Sequence, residues 1–291
     1  MRNLLTEPLL VKDPGELIAL RFLYKRICPF LWGAGVGTVL LSGLHARVVS
    51  EAKVHNKKKW QAVLVVNYKA YPTAFGDKGL AIALAAEKVA EEYNGSVKVV
   101  LAVPSTEISR ISEVVDKAIV YAQHIDPVEP GAHTGFLPAE AVKEAGAKGT
   151  LLNHSEHRLV LSDIDHAIKR ATQVGLETLV CADTPTVAAA VAALTPTMLA
   201  IEPPELIGTG IPVSKAKPEV VTDTLKLVRI VNPDIPVLTG AGISSGEDAA
   251  AAIRLGTIGV LVASAVMKAQ DPETKMRELA EAMTKALEKK Q

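Results

Sequence analysis

The stretch "AVLVVNYKAYP" spans Ala62–Pro72, and its reading decides the fold. Its apolar first half is uninterrupted, as in a strand covered on both faces within a parallel sheet. An open doubly wound sheet would close such a first strand with a glycine-rich G-x-G-x-x-G turn, whereas "NYKAYP" contains no glycine. Seven similar runs follow: "VKVVLAV" (97–103), "AIVYAQ" (118–123), "GTLLN" (149–153), "ETLVC" (177–181), "TMLAIE" (197–202), "IPVLTG" (235–240) and "IGVLVA" (258–263). Between most of them lie amphipathic segments rich in Ala, Glu and Lys, such as "DKGLAIALAAEKVAEEY" (77–93) and "SDIDHAIKRATQVG" (162–175). The last is "DPETKMRELAEAMTKALEKK" (271–290). Eight strand–helix units within residues 61–291 fit a (β/α)8 barrel, whose usual length is about 250 residues. The expected class is therefore α/β, a closed barrel preceded by an N-terminal extension whose structure the pattern does not define.

That extension, residues 1–60, is a separate object. Ile27–Leu44 ("ICPFLWGAGVGTVLLSGL") carries no charge and follows Lys25 and Arg26, which suits a membrane span or a signal sequence. Against both stand Pro29 and the glycines at 33, 35, 37 and 43. Three readings stay open: an anchor, a docked extension, or upstream sequence from a misassigned start codon. The last is favoured because the barrel pattern is complete without these residues, so no membrane role is expected and the location is expected to be cytoplasmic.

Composition narrows the function. Thirty-two basic and thirty-two acidic side chains cancel, so no global field draws the chain to nucleic acid or anionic lipid. Aromatics make up only 4%, too few for stacking on bases. The two cysteines, Cys28 and Cys181, form no metal-ligand spacing; Cys181 sits in an apolar run and reads as an inert core thiol. No metal site is expected.

In a (β/α)8 barrel the chemistry lies at the C-terminal ends of the strands. The first run ends in Asn67 and Lys69, the fourth in "NHSEHR" with His154 and Glu156, and the sixth in Glu202. Each has an ordinary alternative: a solvated lysine, a packed histidine, a capping glutamate. Their convergence from three strand ends is harder to attribute to stability alone. The seventh and eighth loops, "GAGISSGED" and "ASAV", run into helices, and free backbone N–H groups at helix N-termini attract anions. A phosphate site there recurs across several unrelated chemistries of this architecture.

The motifs "VVNYKAYP", "AQHIDPVEPGAHTGF", "GTLLNHSEHR", "AIEPPELIGTGIPVSKAKPE", "LTGAGISSGED" and "GVLVASAVMKA" resemble, in order and position, the triosephosphate isomerase family in its short archaeal form. The resemblance covers residues 61–291 and implies a TIM barrel that interconverts dihydroxyacetone phosphate and glyceraldehyde 3-phosphate without cofactor or metal. It implies Glu202 as general base, His154 as neutral electrophile at the start of a helical turn, Lys69 as the cation near the oxyanion, and Asn67 as an orienting donor. Ile207 and Gly208 would meet the ligand from a lid, with Pro203 and Pro204 stiffening its hinge. Gly242, Ala263 and Ser264 would bind the phosphate, and Glu156 and Arg158 would hold the histidine's loop. Gln123 and Thr134 match residues that buttress a neighbouring subunit, which implies a homo-oligomer, a dimer at least, with a tetramer also compatible.

This sequence departs from the longer bacterial and eukaryotic forms in lacking an aromatic near Glu205 and in carrying Ala263 and Ser264 in place of a glycine pair. Those departures agree with the archaeal form and bear on which amides hold the phosphate. Two rivals remain: another phosphate-binding barrel, such as an isomerase of aminated sugars or an indole-forming synthase, and a non-catalytic barrel kept for assembly or tethering.

Overall fold

The computed structural model describes residues 61–206, 211–212 and 216–289. The expectations for residues 1–60, Ile207 and Gly208 lie outside the described residues. Eight parallel strands close a barrel in sequence order: β1 (Ala62–Asn67), β2 (Val97–Val103), β3 (Ile119–Ala122), β4 (Gly149–Leu152), β5 (Glu177–Ala182), β6 (Met198–Ile201), β7 (Val237–Thr239) and β8 (Gly259–Val262). The seam is made by β1 and β8, with Val63 opposite Gly259 and Val66 opposite Val262.

Side-chain alternation divides the apolar residues into two cores, which is why the strand runs are unbroken. Val63, Val65, Val100, Ala102, Tyr121, Leu151, Leu179, Cys181, Met198, Ala200, Leu238 and Leu261 fill the barrel interior. Their neighbours, Leu64, Val66, Leu101, Leu152, Val180, Leu199 and Val260 among them, point outward into a larger core beneath the helices. The helices are α1 (Gly76–Glu92), α2 (Ile108–Ser112), α3 (Ala139–Glu144), α4 (Leu161–Val174), α5 (Pro185–Ala192), α6 (Pro218–Val231), α7 (Gly246–Leu255), α8 (Ser264–Met267) and α9 (Pro272–Glu288). Local chemistry sets several ends. Thr184 caps α5 and Asp271 caps α9, each followed by proline at the first helical position, while α4 and α7 stop at the left-handed Gly175 and Gly256.

At the N-terminal end of the barrel interior the filling turns polar. The Lys98 ammonium and the Tyr121 hydroxyl both donate to the Glu177 carboxylate. Burial and the adjacent carboxylate hold the Tyr121 hydroxyl well above the usual tyrosine range, so it remains a donor. Gly149 packs beneath that ring, where a Cβ would lie 2.6 Å from two ring carbons.

Closure leaves no room at Gly259 either, since a Cβ there would overlap the Val63 carbonyl across the seam. Gly259→Ala is expected to destabilise the fold by about 3 kcal/mol, the upper range for overpacking, because the obstructing atoms are backbone. Urea denaturation followed by far-UV circular dichroism checks this; an unchanged midpoint would mean the seam can spread.

Candidate active site

The inward-facing register runs on past the strand ends and delivers polar groups to one rim. Asn67 follows Val65 by two residues, Gln123 follows Tyr121, Glu202 follows Ala200, and Ala263 follows Leu261. These positions keep the inward alternation but rise above the apolar layers, and Asn67, Glu202 and Ala263 reach a cavity of about 170 Å³. Asn67, Lys69, Tyr71, His154, Glu202, Gly242, Ser264 and neighbouring residues line it.

Three residues on this rim hold left-handed backbone without being glycine: Lys69 (φ 49°), Asn153 (φ 57°) and Ala241 (φ 68°). Such strain is concentrated where a side chain must be aimed. At Lys69 it is secured by Asn67, whose Oδ1 accepts the Lys69 amide at 2.9 Å. Gln123 Nε2 completes the brace, donating to Asn67 Oδ1 (3.3 Å) and to the carbonyls of Lys69 (3.0 Å) and Ala102 (3.2 Å). Gln123, expected at a subunit contact, is thus engaged within the chain's own site. With Oδ1 occupied twice, Asn67 keeps its amide N–H groups for a ligand. The Lys69 ammonium lies 2.8 Å from Glu156 Oε1.

His154 lies after β4 on a tight turn, closed by the His157 amide donating to the His154 carbonyl at 2.8 Å; α4 begins only at Leu161. The expected helical turn is therefore a single non-helical one, and what fixes the imidazole is not a helix dipole. The Glu156 amide donates to His154 Nδ1 at 3.2 Å. Nδ1 is an acceptor, so a neutral ring carries its proton on Nε2, facing Glu202. Asn153 anchors the loop at both ends, through Nδ2 to the Cys181 carbonyl (2.9 Å) and through Oδ1 from the Leu159 amide (2.9 Å). Arg158 supports it too, donating to the Asn153 carbonyl at 3.3 Å and pairing with Asp183 at 3.3 Å. Asn153 was not singled out from the sequence, although asparagine is one of the few non-glycine residues that adopt the left-handed region readily.

Glu202 is 4% exposed, and its Oε2, 3.8 Å from His154 Nε2, has no hydrogen-bond partner among the described residues. A buried carboxylate oxygen without a partner costs free energy unless a ligand supplies one. Beneath it lies Cys181, near enough to feel the carboxylate's charge. Burial first, then the Glu202 charge, pushes this thiol far above the usual range, so it stays an S–H donor. Cys181 is thus the buried, protonated core thiol expected from its apolar run, and it also lies beneath the base.

Gly240 supports Glu202 from the side, where a Cβ would collide with Glu202 Cγ and come within 2.6 Å of Oε1. Gly240→Ala is expected to displace the carboxylate and lower turnover about tenfold or more with little change in KM. Steady-state kinetics checks this; an unaltered kcat would show that Glu202 has room to yield.

The anion-receptive wall differs from expectation. The N-terminus of α7 is already satisfied: Ser245 and Asp248 form a reciprocal capping box, the Asp248 carboxylate accepts the Ser244 and Ser245 amides, and Glu278 accepts the Gly246 amide at 2.7 Å. With two carboxylates there, that helix end cannot draw an anion. The amides of Gly242, Ile243, Ser264 and Ala265, by contrast, donate no hydrogen bond among the described residues, and all four residues line the cavity. Gly242 has φ 73°, and a Cβ on it would overlap Ile211, so only glycine fits. Ala263, expected with Gly242 and Ser264, lines the same wall; Tyr71, Ile243 and Ala265 join it unexpectedly.

Pro204–Leu206 forms a 3-10 turn directly after Glu202, with Leu206 buried. Glu205 and Lys217 form an ion pair across the base of the segment between them. Among the described residues, no group of three or more His, Cys, Asp or Glu converges as a metal site.

A buried carboxylate, an imidazole and an ammonium facing a cavity with free amides on its far wall define a barrel enzyme of the acid–base type for an anionic substrate. The comparisons with known proteins agree. A sequence profile of the triosephosphate isomerase family matches residues 62–283, and the chain belongs to that family. It is 51% identical over 218 residues to a triosephosphate isomerase of Caldivirga maquilingensis (75% of this chain, 96% of the relative). The one from Methanocaldococcus jannaschii is 52% identical over 217 residues (75% and 98%). A crystal structure of triosephosphate isomerase from Bartonella henselae superposes with a TM-score of 0.58 at 20% identity, covering 74% of this chain and 98% of that one, which speaks for the fold alone.

Proposed function

We propose that the chain interconverts dihydroxyacetone phosphate and D-glyceraldehyde 3-phosphate through an enediol(ate), as an intramolecular aldose–ketose isomerase of glycolysis and gluconeogenesis. The observation that carries this reading is the unpartnered Oε2 of Glu202 facing His154 Nε2 across the cavity. The Glu202 carboxylate takes a proton from C1 of the ketone, and the electron pair moves onto the C2 oxygen. Nε2–H of His154 and the Lys69 ammonium stabilise that oxygen, and Asn67 donates to the same region. The imidazole passes a proton between the two oxygens while protonated Glu202 returns one to C2, giving the aldehyde. The free amides of Gly242, Ile243, Ser264 and Ala265 receive the phosphate. Ile207 and Gly208 close over it, excluding water and preventing phosphate loss from the enediolate.

No cofactor enters this cycle. Residues 61–291 act as the isomerase domain, and residues 1–60 form an extension outside it. Location in the cytoplasm is part of the same reading; among the described residues no helix is long and apolar enough to cross a membrane.

The assembly is a homo-oligomer, a dimer at least. In support, residues 129–136 are exposed, with Phe136 at 51%, and a cavity of about 500 Å³ opens beside Lys69, His154 and Glu156. Thr134 reaches the partner from this loop. The test is interconversion of the two triose phosphates by the intact chain, coupled to a dehydrogenase, with light scattering on the same sample. Rapid turnover by a dimer or larger species is expected. An inactive intact chain would defeat the assignment, and an active monomer would defeat the assembly alone.

A further inference from the structure

The mechanism above relies on one cation, Lys69, for a substrate that brings a phosphate and develops an enediolate. A second cation stands behind one wall of the cavity, over the ring of Tyr71. Tyr71, two residues beyond Lys69, lines the wall that also contains Ser264 and Ala265. Lys268 follows α8 directly, and its Nζ lies 5.2 Å from the centre of the Tyr71 ring. The two loops are tied together by Thr73 Oγ1, which donates to the Met267 carbonyl at 2.9 Å.

An exposed lysine ordinarily turns to a nearby carboxylate. Among the described residues Lys268 has no carboxylate partner, and the acids that follow it are occupied: Asp271 accepts from Thr274, and Glu273 accepts from Lys88 and Arg277. The ring face is therefore what holds this ammonium beside the cavity wall. A charge so held, next to free amides, raises the local concentration of a dianion without touching the reacting carbons.

We propose that Lys268, held over Tyr71, is a positioning residue for the phosphate group, raising affinity for phosphorylated substrate and leaving the proton-transfer step alone. This rests on the phosphate lying against Gly242, Ile243, Ser264 and Ala265.

The experiment uses the full chain and Lys268→Gln, Lys268→Arg and Tyr71→Leu, with glyceraldehyde 3-phosphate as substrate and inorganic phosphate as competitive inhibitor. At low ionic strength Lys268→Gln and Tyr71→Leu should raise both KM and the phosphate inhibition constant about threefold, and the difference should vanish near 0.5 M salt. Lys268→Arg, which keeps the charge and the ring contact, should restore both constants, and the Lys268 variants should turn over unphosphorylated glyceraldehyde as the parent chain does. If Lys268→Gln moves neither constant, or lowers kcat at unchanged KM, the assignment of Lys268 is overturned. If inorganic phosphate fails to inhibit the parent chain competitively, the placement of the phosphate falls, and the role of Lys268 with it.

Discussion

Glu202→Asp is expected to lower kcat by about 10²-fold or more with the fold intact, since retracting the base by one methylene is a misplacement of about 1 Å. Glu202 does little for stability: one carboxylate oxygen is buried without a partner, and the other side of the group meets the Cys181 thiol and Gly240. Glu202→Gln removes the base altogether and should cost on the order of 10⁴-fold. Because it replaces a poorly satisfied buried charge by a neutral group, its denaturation midpoint should equal or exceed the parent's. Kinetics and urea denaturation on both variants check this. A modest loss in kcat, or a loss that tracks unfolding, would remove Glu202 from the role of base.

Lys69→Met is the second large effect. It should lower kcat/KM on the order of 10³-fold, because it removes the cation that lines the cavity beside His154 and Glu202. The fold should tolerate the change. The Glu156 partner of Lys69 is 57% exposed, so the ion pair is solvent-screened and adds little. Lys69→Gly separates the two quantities further. A left-handed φ of 49° suits glycine, so this variant should gain roughly 1 kcal/mol of stability while losing activity like Lys69→Met. Strain held at a functional residue predicts that trade; a residue placed for stability predicts the reverse. Urea titration alongside kcat/KM decides between them.

The barrel was legible because both faces of every strand are buried. Inner residues such as Val65 and Leu179 and outer ones such as Leu64 and Val180 are all apolar, so each strand appears as an unbroken run. The longer helices were equally plain, with α4 and α9 within two residues of the amphipathic segments. Short helices such as α2 and α3, five and six residues long, carry too few turns to display a periodicity.

At the site, Asn67, Lys69, His154 and Glu202 were readable from strand ends and motifs, and they line one cavity. Three features were not readable, each for a spatial reason. Cys181 meets Glu202 only because β5 and β6 are neighbours in register, Cys181 opposite Ala200. Gln123 braces Asn67 across two strands, a contact no spacing reveals. The Ser245–Asp248 pair was present in "SSGED", yet its meaning was missed: a self-capped helix has no donors left for phosphate.

The most direct measurement is isomerisation of dihydroxyacetone phosphate in ²H₂O, with the product trapped by oxidation and its C2 position examined by NMR. If Glu202 carries the proton between neighbouring carbons, deuterium should appear at C2 of glyceraldehyde 3-phosphate through exchange of the protonated base with solvent, together with some direct proton transfer. Glu202→Gln should abolish both products. Product formed by Glu202→Gln at the parent rate, or no product from the parent chain, would contradict a Glu202-centred proton transfer.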